Sequence, residues 1–351
     1  MKRISFLLTI LILMLTGCHA FRTTEDSLPS DPSAEIPSSK REIFAMDTYM
    51  TISCYGEHCE EALDAAETEI LRLDKLLSVG NADSEVSKLN RTGSGTLSDD
   101  TSALMTESLD VFEKTKGAFD VTVGPLMELW GFTSGKTAVP EEAELEKVLA
   151  ASGSEKLSYD PAAKELTLGP GQGIDFGGIA KGYCTDRLTE IFQQYDLDCA
   201  LVSLGGNIGC FKEKPDGSPW RCGIRNPFKP DDMSALIGVV EVRDCDVVTS
   251  GAYERFFTGE DGTVYHHILD PHTGYPANNG LVSVTVISKS GILSDALSTA
   301  CYVMGEERSI RFWHEYGDNF DLILVRDTGD VCITAPLADH FTSDSTIWII
   351  E

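Results

Sequence analysis

From residue 41 onward, apolar and polar positions switch between the period of two that marks strands and the 3.6-residue period that marks helices. Arg41–Tyr55 reads as extended chain around Thr48-Tyr49-Met50-Thr51-Ile52-Ser53, a run rich in β-branched and aromatic residues. Leu63, Ala66, Ile70, Leu73 and Leu77 then recur at helical spacing, predicting a helix over Glu60–Leu77 with its acids on the opposite face. A second amphipathic helix is predicted over residues 100–117, stopping at Gly117. A third covers Pro140–Ala151, with proline at its start and acids in its first turn. Leu166–Leu168 reads as a short strand, Ile179–Tyr195 as a helix, and Cys199–Leu204 as a strand ended by Gly205-Gly206. The last third is strand-rich, at 221–225, 237–242, 246–250, 264–268, 281–288, 321–326 and 347–350, interrupted by a helix from Ser294. Long gaps between pairable strands favour an α+β domain of antiparallel sheets flanked by helices over a doubly wound parallel fold. Residues 41–351 contain nothing that reads as a linker.

The first forty residues follow a different pattern. Lys2 and Arg3 precede an apolar run from Phe6 to Leu15, which ends in Leu15-Thr16-Gly17-Cys18. A basic start, a short apolar stretch and small residues predict a secretory signal over residues 1–17. The Leu-Thr-Gly-Cys ending resembles a bacterial lipobox, which implies a lipid on Cys18 and an extracytoplasmic, membrane-anchored protein. Residues 19–40, with Pro29, Pro32 and Pro37 among Ser, Asp and Glu, cannot bury apolar surface and read as a flexible tether.

Charge narrows the partners. The 351 residues hold 28 Lys+Arg against 56 Asp+Glu, a formal charge of −28. Such a surface argues against nucleic acid, whose phosphates need clustered cations, and against an electrostatic grip on anionic lipid. A phosphorylated ligand would need a local cation, a metal or helix-terminal N–H groups. Ten cysteines are many for an exported chain, and with Cys18 lipidated an odd number remains. Cys54 and Cys59 could bridge or bind metal. Cys184, Cys199, Cys210, Cys245 and Cys301 sit in apolar surroundings and read as buried thiols.

Four segments carry candidate chemistry. Asp175-Phe176-Gly177-Gly178-Ile179-Ala180-Lys181-Gly182 lies at a strand–helix junction, where glycines admit a ligand and helix N–H groups and Lys181 suit a phosphate. It also fits an ordinary tight turn with a surface lysine. In Ser294-Asp295-Ala296-Leu297-Ser298-Thr299, Asp295 and Thr299 share a helix face with Ser298 beside them, hard oxygen donors suited to Mg²⁺. The same residues fit a serine cap followed by an acid in the first turn. In Tyr265-His266-His267-Ile268-Leu269-Asp270-Pro271-His272-Thr273-Gly274, strand alternation sends His266 and His267 to opposite faces, and one histidine could act as acid or base. Gly117-Ala118-Phe119-Asp120-Val121-Thr122 reads by itself as a helix stop.

Taken in order, the stretches AMDTYMTI, DSEVSKLN, GAFDVTVGPL, DFGGIAKGY, SLGGNIG, TSGAYERFF, HILDPHTGYP and SDALSTA resemble the ApbE family of FAD:protein FMN transferases over residues 41–350. The resemblance implies an α+β domain of two lobes with the active site between them. It implies an Mg²⁺-dependent enzyme that transfers the FMN part of FAD to a Thr or Ser hydroxyl of an exported flavoprotein with an FMN-binding domain, releasing AMP. Gly178 (by its carbonyl), Asp295 and Thr299 match the family's metal ligands, with Ser298 a further candidate. Met46, Ala118, Phe119, Asp120, Asp175, Lys181 and Ile268 match positions lining FAD, and His267 matches the histidine near the reacting phosphate. His267 or Asp295 is then the group that takes the acceptor's proton. The sequence departs from the pattern at Leu77–Ser84, which lacks the aromatic often found before Asp-Ser, and at His272, where arginine is common. Two other readings remain open: an FAD pyrophosphatase giving FMN and AMP, and a lipid-anchored solute receptor without turnover.

Overall fold

The computed structural model describes residues 36–351, which form one compact unit. Residues 1–17, Cys18 and most of the tether lie outside the described residues. The folded body begins earlier than residue 41. Ser38–Ala45 is already a strand, and Ser38, Ser39 and Lys40 pair with Tyr55, Cys54 and Ser53, so the tether gives up its last residues to the sheet.

The frame is a nine-stranded sheet. Its strand order is Ser38–Ala45, Thr48–Tyr55, Cys199–Leu204, Asn207–Phe211, Cys245–Gly251, Leu281–Ser288, Phe320–Arg326, Val331–Thr334 and Ile347–Ile350. Every pairing is antiparallel except the last, which is parallel. Seven α-helices are present among the described residues: α1 (Cys59–Leu77), α2 (Glu85–Thr92), α3 (Asp99–Thr115), α4 (Gly124–Leu129), α5 (Glu142–Ala151), α6 (Ala180–Gln194) and α7 (Gly291–Tyr316). The α+β, antiparallel reading therefore holds.

Alternation in the strands gives the sheet two buried faces. Ile52, Val202, Val284 and Leu324 join Leu63, Ile70, Leu188 and Leu297 of the helices in the main core. Residues on the other face, including Cys199, Val247 and Ile323, pack with Trp220, Ile224 and Val240 of a three-stranded sheet. A smaller cluster of Leu126, Trp130, Phe132, Leu145 and Leu269 stands apart. All nine described cysteines are free thiols, and all but Cys245 are buried, so Cys54 and Cys59 do not bridge.

Three local differences from the sequence pattern shape the site. Arg41–Tyr55 is a hairpin whose turn, Met46-Asp47, takes left-handed φ values of 47° and 57°. Neither residue is the Asn or Gly that normally marks such a turn, so the pattern shows no break there. Gly205-Gly206 ends the strand Cys199–Leu204 as read, but does so as a hairpin turn into Asn207–Phe211, a strand the pattern did not show. α7 starts at Gly291 and not at Ser294. Ser290 caps it by accepting the Leu293 N–H (3.4 Å), and Asp186 accepts those of Gly291 and Ile292 (2.6 and 2.9 Å). The reading of Ser294-Asp295 as a cap and first-turn acid is thereby excluded. Asp295 therefore plays no part in capping its own helix.

Candidate active site

A cavity of about 430 Å³ opens where the hairpin tip at Met46–Thr48, the loop Ala118–Asp120, the start of α6, the second turn of α7 and the His267–Leu269 segment meet. Candidate residues far apart in sequence line this one space: Met46, Ala118, Phe119, Asp120, Asp175, Gly178, Lys181, His267, Ile268, Asp295 and Thr299.

Asp295 is buried, and its two carboxylate oxygens have different surroundings. Oδ2 accepts the Gly182 N–H at 2.8 Å, while Oδ1 lies 4.0 Å from the Lys181 ammonium. Gly182 is required by this close approach. A Cβ there would collide with the Gly291 carbonyl and stand 2.7 Å from the Asp295 Cβ, so only glycine lets α6 and α7 meet at this point. The Gly182 N–H is thus spent on Asp295 and is not offered to a phosphate. Gly178 abuts Thr299: a Cβ built on Gly178 would lie 3.5 Å from Thr299 Oγ1. A carboxylate, a hydroxyl and a carbonyl-bearing glycine thus meet at one wall. Among the described residues no group of three His, Cys, Asp or Glu side chains is placed to hold a metal. These mixed oxygen donors suit a hard cation that keeps other ligands from water or phosphate. Ser298 does not belong with them. It is wholly buried, does not line the cavity, and its hydroxyl donates to the Asp295 main-chain carbonyl (2.8 Å). Its assignment as a metal ligand is corrected.

The histidines separate by environment. His266 is in the core, its Nε2 donating to the Ala277 carbonyl (2.9 Å) and its Nδ1 accepting the Ile268 N–H (3.3 Å), with its ring edge-on to Tyr302. His267 faces the cavity. Its backbone N–H and its Nδ1 both approach the Arg255 carbonyl, at 3.0 and 3.2 Å. A carbonyl only accepts, so Nδ1 carries the proton and Nε2 keeps its lone pair. Burial first, and then the Arg255 cation, push the His267 pKa down to about 3. The imidazole is therefore neutral at physiological pH. Desolvation pushes Asp175 up, opposed by the Gly177 N–H on its Oδ1 (2.7 Å) and by the charges of Arg255 and Lys181. His272 is tied to Asp270 (3.0 Å) and the Lys116 carbonyl (3.1 Å) and shapes its own turn.

The remaining positions form the walls. Met46 donates its N–H to Asp74 Oδ1 (3.1 Å), which helps hold the left-handed tip in place. Ile268 and Phe119 are buried apolar surfaces, and Leu77–Gly80 lines the cavity without an aromatic ring. The Asp120 carboxylate borders the space but is engaged by Thr122 and Ser154. It accepts from Thr122 N and Oγ1 (both 2.8 Å) and from Ser154 N and Oγ (3.1 and 2.6 Å). Oδ1 takes three of these bonds and Oδ2 one, which fixes the loop against Ser154. The structure adds Arg255, Ser250 and Asn207 to the lining. The Asn207 amide nitrogen is buried without a hydrogen-bond partner among the described residues. Arg255 is the arginine of the run Tyr253-Glu254-Arg255-Phe256-Phe257, where charge among aromatics is a visible signal. Ser250 and Asn207 fall within two of the family-like stretches but are not among the site residues read from them.

The ApbE family model matches residues 46–324. The FAD:protein FMN transferase of Treponema pallidum is 34% identical over 340 residues, 91% of this chain and 92% of that one. The FAD:protein FMN transferase of Vibrio cholerae is 36% identical over 253 residues, 70% of this chain and 75% of that protein. Among solved structures, the ApbE protein of Thermotoga maritima superposes with a TM-score of 0.77 at 32% identity, covering 84% of this chain and 96% of that one. The flavin transferase ApbE of Vibrio cholerae gives 0.73 at 29% identity, covering 88% and 98%. Match length, identity and fold agree, and the chain belongs to the ApbE family.

Proposed function

We propose that this chain is an FAD:protein FMN transferase that breaks the pyrophosphate of FAD, joins the FMN phosphate to a Thr or Ser hydroxyl of an acceptor protein and releases AMP. The observation that carries the reading is the meeting, in one cavity of an acidic chain, of oxygen donors for Mg²⁺, a lysine and a neutral histidine. Asp295, Thr299 and the Gly178 carbonyl would hold the ion. When bound, Mg²⁺ supplies positive charge that makes the diphosphate tolerable and the phosphorus electrophilic. Lys181, with its ammonium beside the Gly177 carbonyl (3.4 Å) and Asp295, binds and orients the diphosphate. His267 Nε2, bare because Nδ1–H is held by Arg255, takes the acceptor hydroxyl's proton as that oxygen bonds to phosphorus. The bond from phosphorus to the bridging oxygen breaks, and its electron pair leaves with AMP. Met46, Phe119 and Ile268 supply apolar surface for the rings.

The test is the intact mass of an acceptor FMN-binding domain after incubation with FAD and Mg²⁺, beside a control lacking acceptor. The expected result is an FMN adduct that needs both Asp295 and His267. FMN and AMP release without any adduct would replace transfer by hydrolysis, and FAD retention without turnover would make the chain a receptor. We further propose that Cys18 carries lipid and holds the enzyme outside the cytoplasm, supported by the Leu15–Cys18 pattern. Cys18→Ala should then abolish lipid labelling and membrane retention.

A further inference from the structure

Ser250 enters no part of this chemistry, yet its hydroxyl lines the cavity beside the proposed metal ligands. Three contacts define its role. Ser298 Oγ donates to the Asp295 main-chain carbonyl at 2.8 Å, Ser250 Oγ lies 2.7 Å from Ser298 Oγ, and Ser250 Oγ lies 3.4 Å from Thr299 Oγ1. A hydroxyl has one hydrogen, and a carbonyl oxygen can only accept. The Asp295 carbonyl therefore takes the Ser298 hydrogen. Ser298 must then accept from Ser250, and Ser250, its own hydrogen spent, can only accept from Thr299.

We propose that Ser250 is a positioning residue that, relaying through Ser298 to the Asp295 carbonyl, draws the Thr299 hydroxyl hydrogen toward its own oxygen and leaves the Thr299 oxygen lone pairs for a divalent cation. A hydroxyl binds a cation through a lone pair, so its hydrogen must point elsewhere. The chain of hydroxyls fixes that direction before any ligand arrives. Its anchor is the sheet: Ser250 is paired with Val284 in the strand Cys245–Gly251, whose first four residues are also paired with Asn207–Phe211. The relay also gives Ser298 a function in place of ligation. Partners of this kind, which orient a ligand without touching the ion, commonly govern affinity by 10–100-fold.

The inference rests on the reading of Asp295 and Thr299 as metal ligands, and the experiment separates the two. Mn²⁺ binding to the full chain is measured by the loss of the free-ion EPR signal beyond that caused by the same ADP without protein, ADP serving as a diphosphate without flavin. Wild type should bind Mn²⁺, and Ser250→Ala should bind it about 10–100-fold more weakly with its Tm little changed. Ser250→Thr, which keeps the hydroxyl, should return affinity to near wild type. In a Thr299→Ala background, the further change Ser250→Ala should cost nothing more, because the relay has no hydroxyl left to orient. Equal Mn²⁺ affinity of wild type and Ser250→Ala overturns the relay and leaves the metal site standing. A full Ser250→Ala loss that persists without the Thr299 hydroxyl also overturns it, since Ser250 then acts elsewhere. Absence of Mn²⁺ binding by wild type overturns the metal reading and the relay together.

Discussion

The neutral state of His267 makes a prediction that runs against ordinary histidine behaviour. An unperturbed imidazole titrates near 6.5, so at pH 5 only about 3% of it is free base. His267, enclosed and beside Arg255, is pushed to about 3. On that value about 99% remains free base at pH 5. If the imidazole is the base for the acceptor hydroxyl, kcat/KM, which reports the free enzyme, should show no acid limb from His267 between pH 8 and 5. The direct measurement is an NMR titration of the His267 ring in the ligand-free chain, which should show no midpoint above about pH 4 and the Nδ1–H tautomer throughout. Stability carries the opposite signature. The folded pKa lies below the unfolded one, so the unfolded chain takes up a proton at His267 as pH falls below about 6.5, and the folded chain does not until about 3. Folding should weaken across that window, by at most about 1.4 kcal/mol per pH unit for one proton. A ring that titrates near 6.5, or a kcat/KM limb near that pH that vanishes in His267→Gln, would refute the environment assigned to His267.

Three further outcomes follow from the geometry. His266→Ala should lower the Tm and cost roughly 2–4 kcal/mol by denaturant unfolding, because it opens a core cavity and strands the Ala277 carbonyl and Ile268 N–H; FMN transfer per folded molecule should stay within a few-fold of wild type. Gly182→Ala should cost about 1–3 kcal/mol by forcing α6 from α7, and should weaken Mn²⁺ binding in the same protein because Asp295 moves with α7. Lys181→Ala should weaken FAD binding by about 1.5–3 kcal/mol, roughly 10- to 150-fold in Kd by calorimetry, with the fold intact.

The elements with strong periodicity were legible. The spacing of Leu63, Ala66, Ile70, Leu73 and Leu77 places α1 to within a residue of its observed start, and Leu281–Ser288 is found as read. What escaped was set by turns whose residues do not advertise themselves. Met46-Asp47 bends in the left-handed region without glycine or asparagine, so the first hairpin reads as one strand. The site was legible in its charged residues and in Thr299, and misread or silent in the hydroxyls behind them. Lys181 and Asp295 stand out in any sequence, but Ser250 and Ser298 gain meaning only when the strand Cys245–Gly251 lies against α7. Ser298 illustrates the limit. Helical spacing puts it beside Asp295 and Thr299, but its hydroxyl turns back to its own helix, a choice made by packing and not by spacing.

The acid excess that seemed to bar a diphosphate is resolved residue by residue. Asp120 accepts from four donors, two of Thr122 and two of Ser154, Asp74 accepts the Met46 N–H, Glu254 is paired with Arg225 (3.1 Å), and Asp47 is exposed at the hairpin tip. Asp175 is pushed toward its neutral form by burial and has one oxygen on the Gly177 N–H. Against that background the Asp295 Oδ1, with Oδ2 committed to Gly182, is the carboxylate oxygen next to Lys181 at the cavity wall. A net charge of −28 is therefore a property of the whole chain and a poor guide to this wall. There, one carboxylate oxygen beside a lysine is the arrangement in which a divalent cation can hold an anion that the rest of the surface repels.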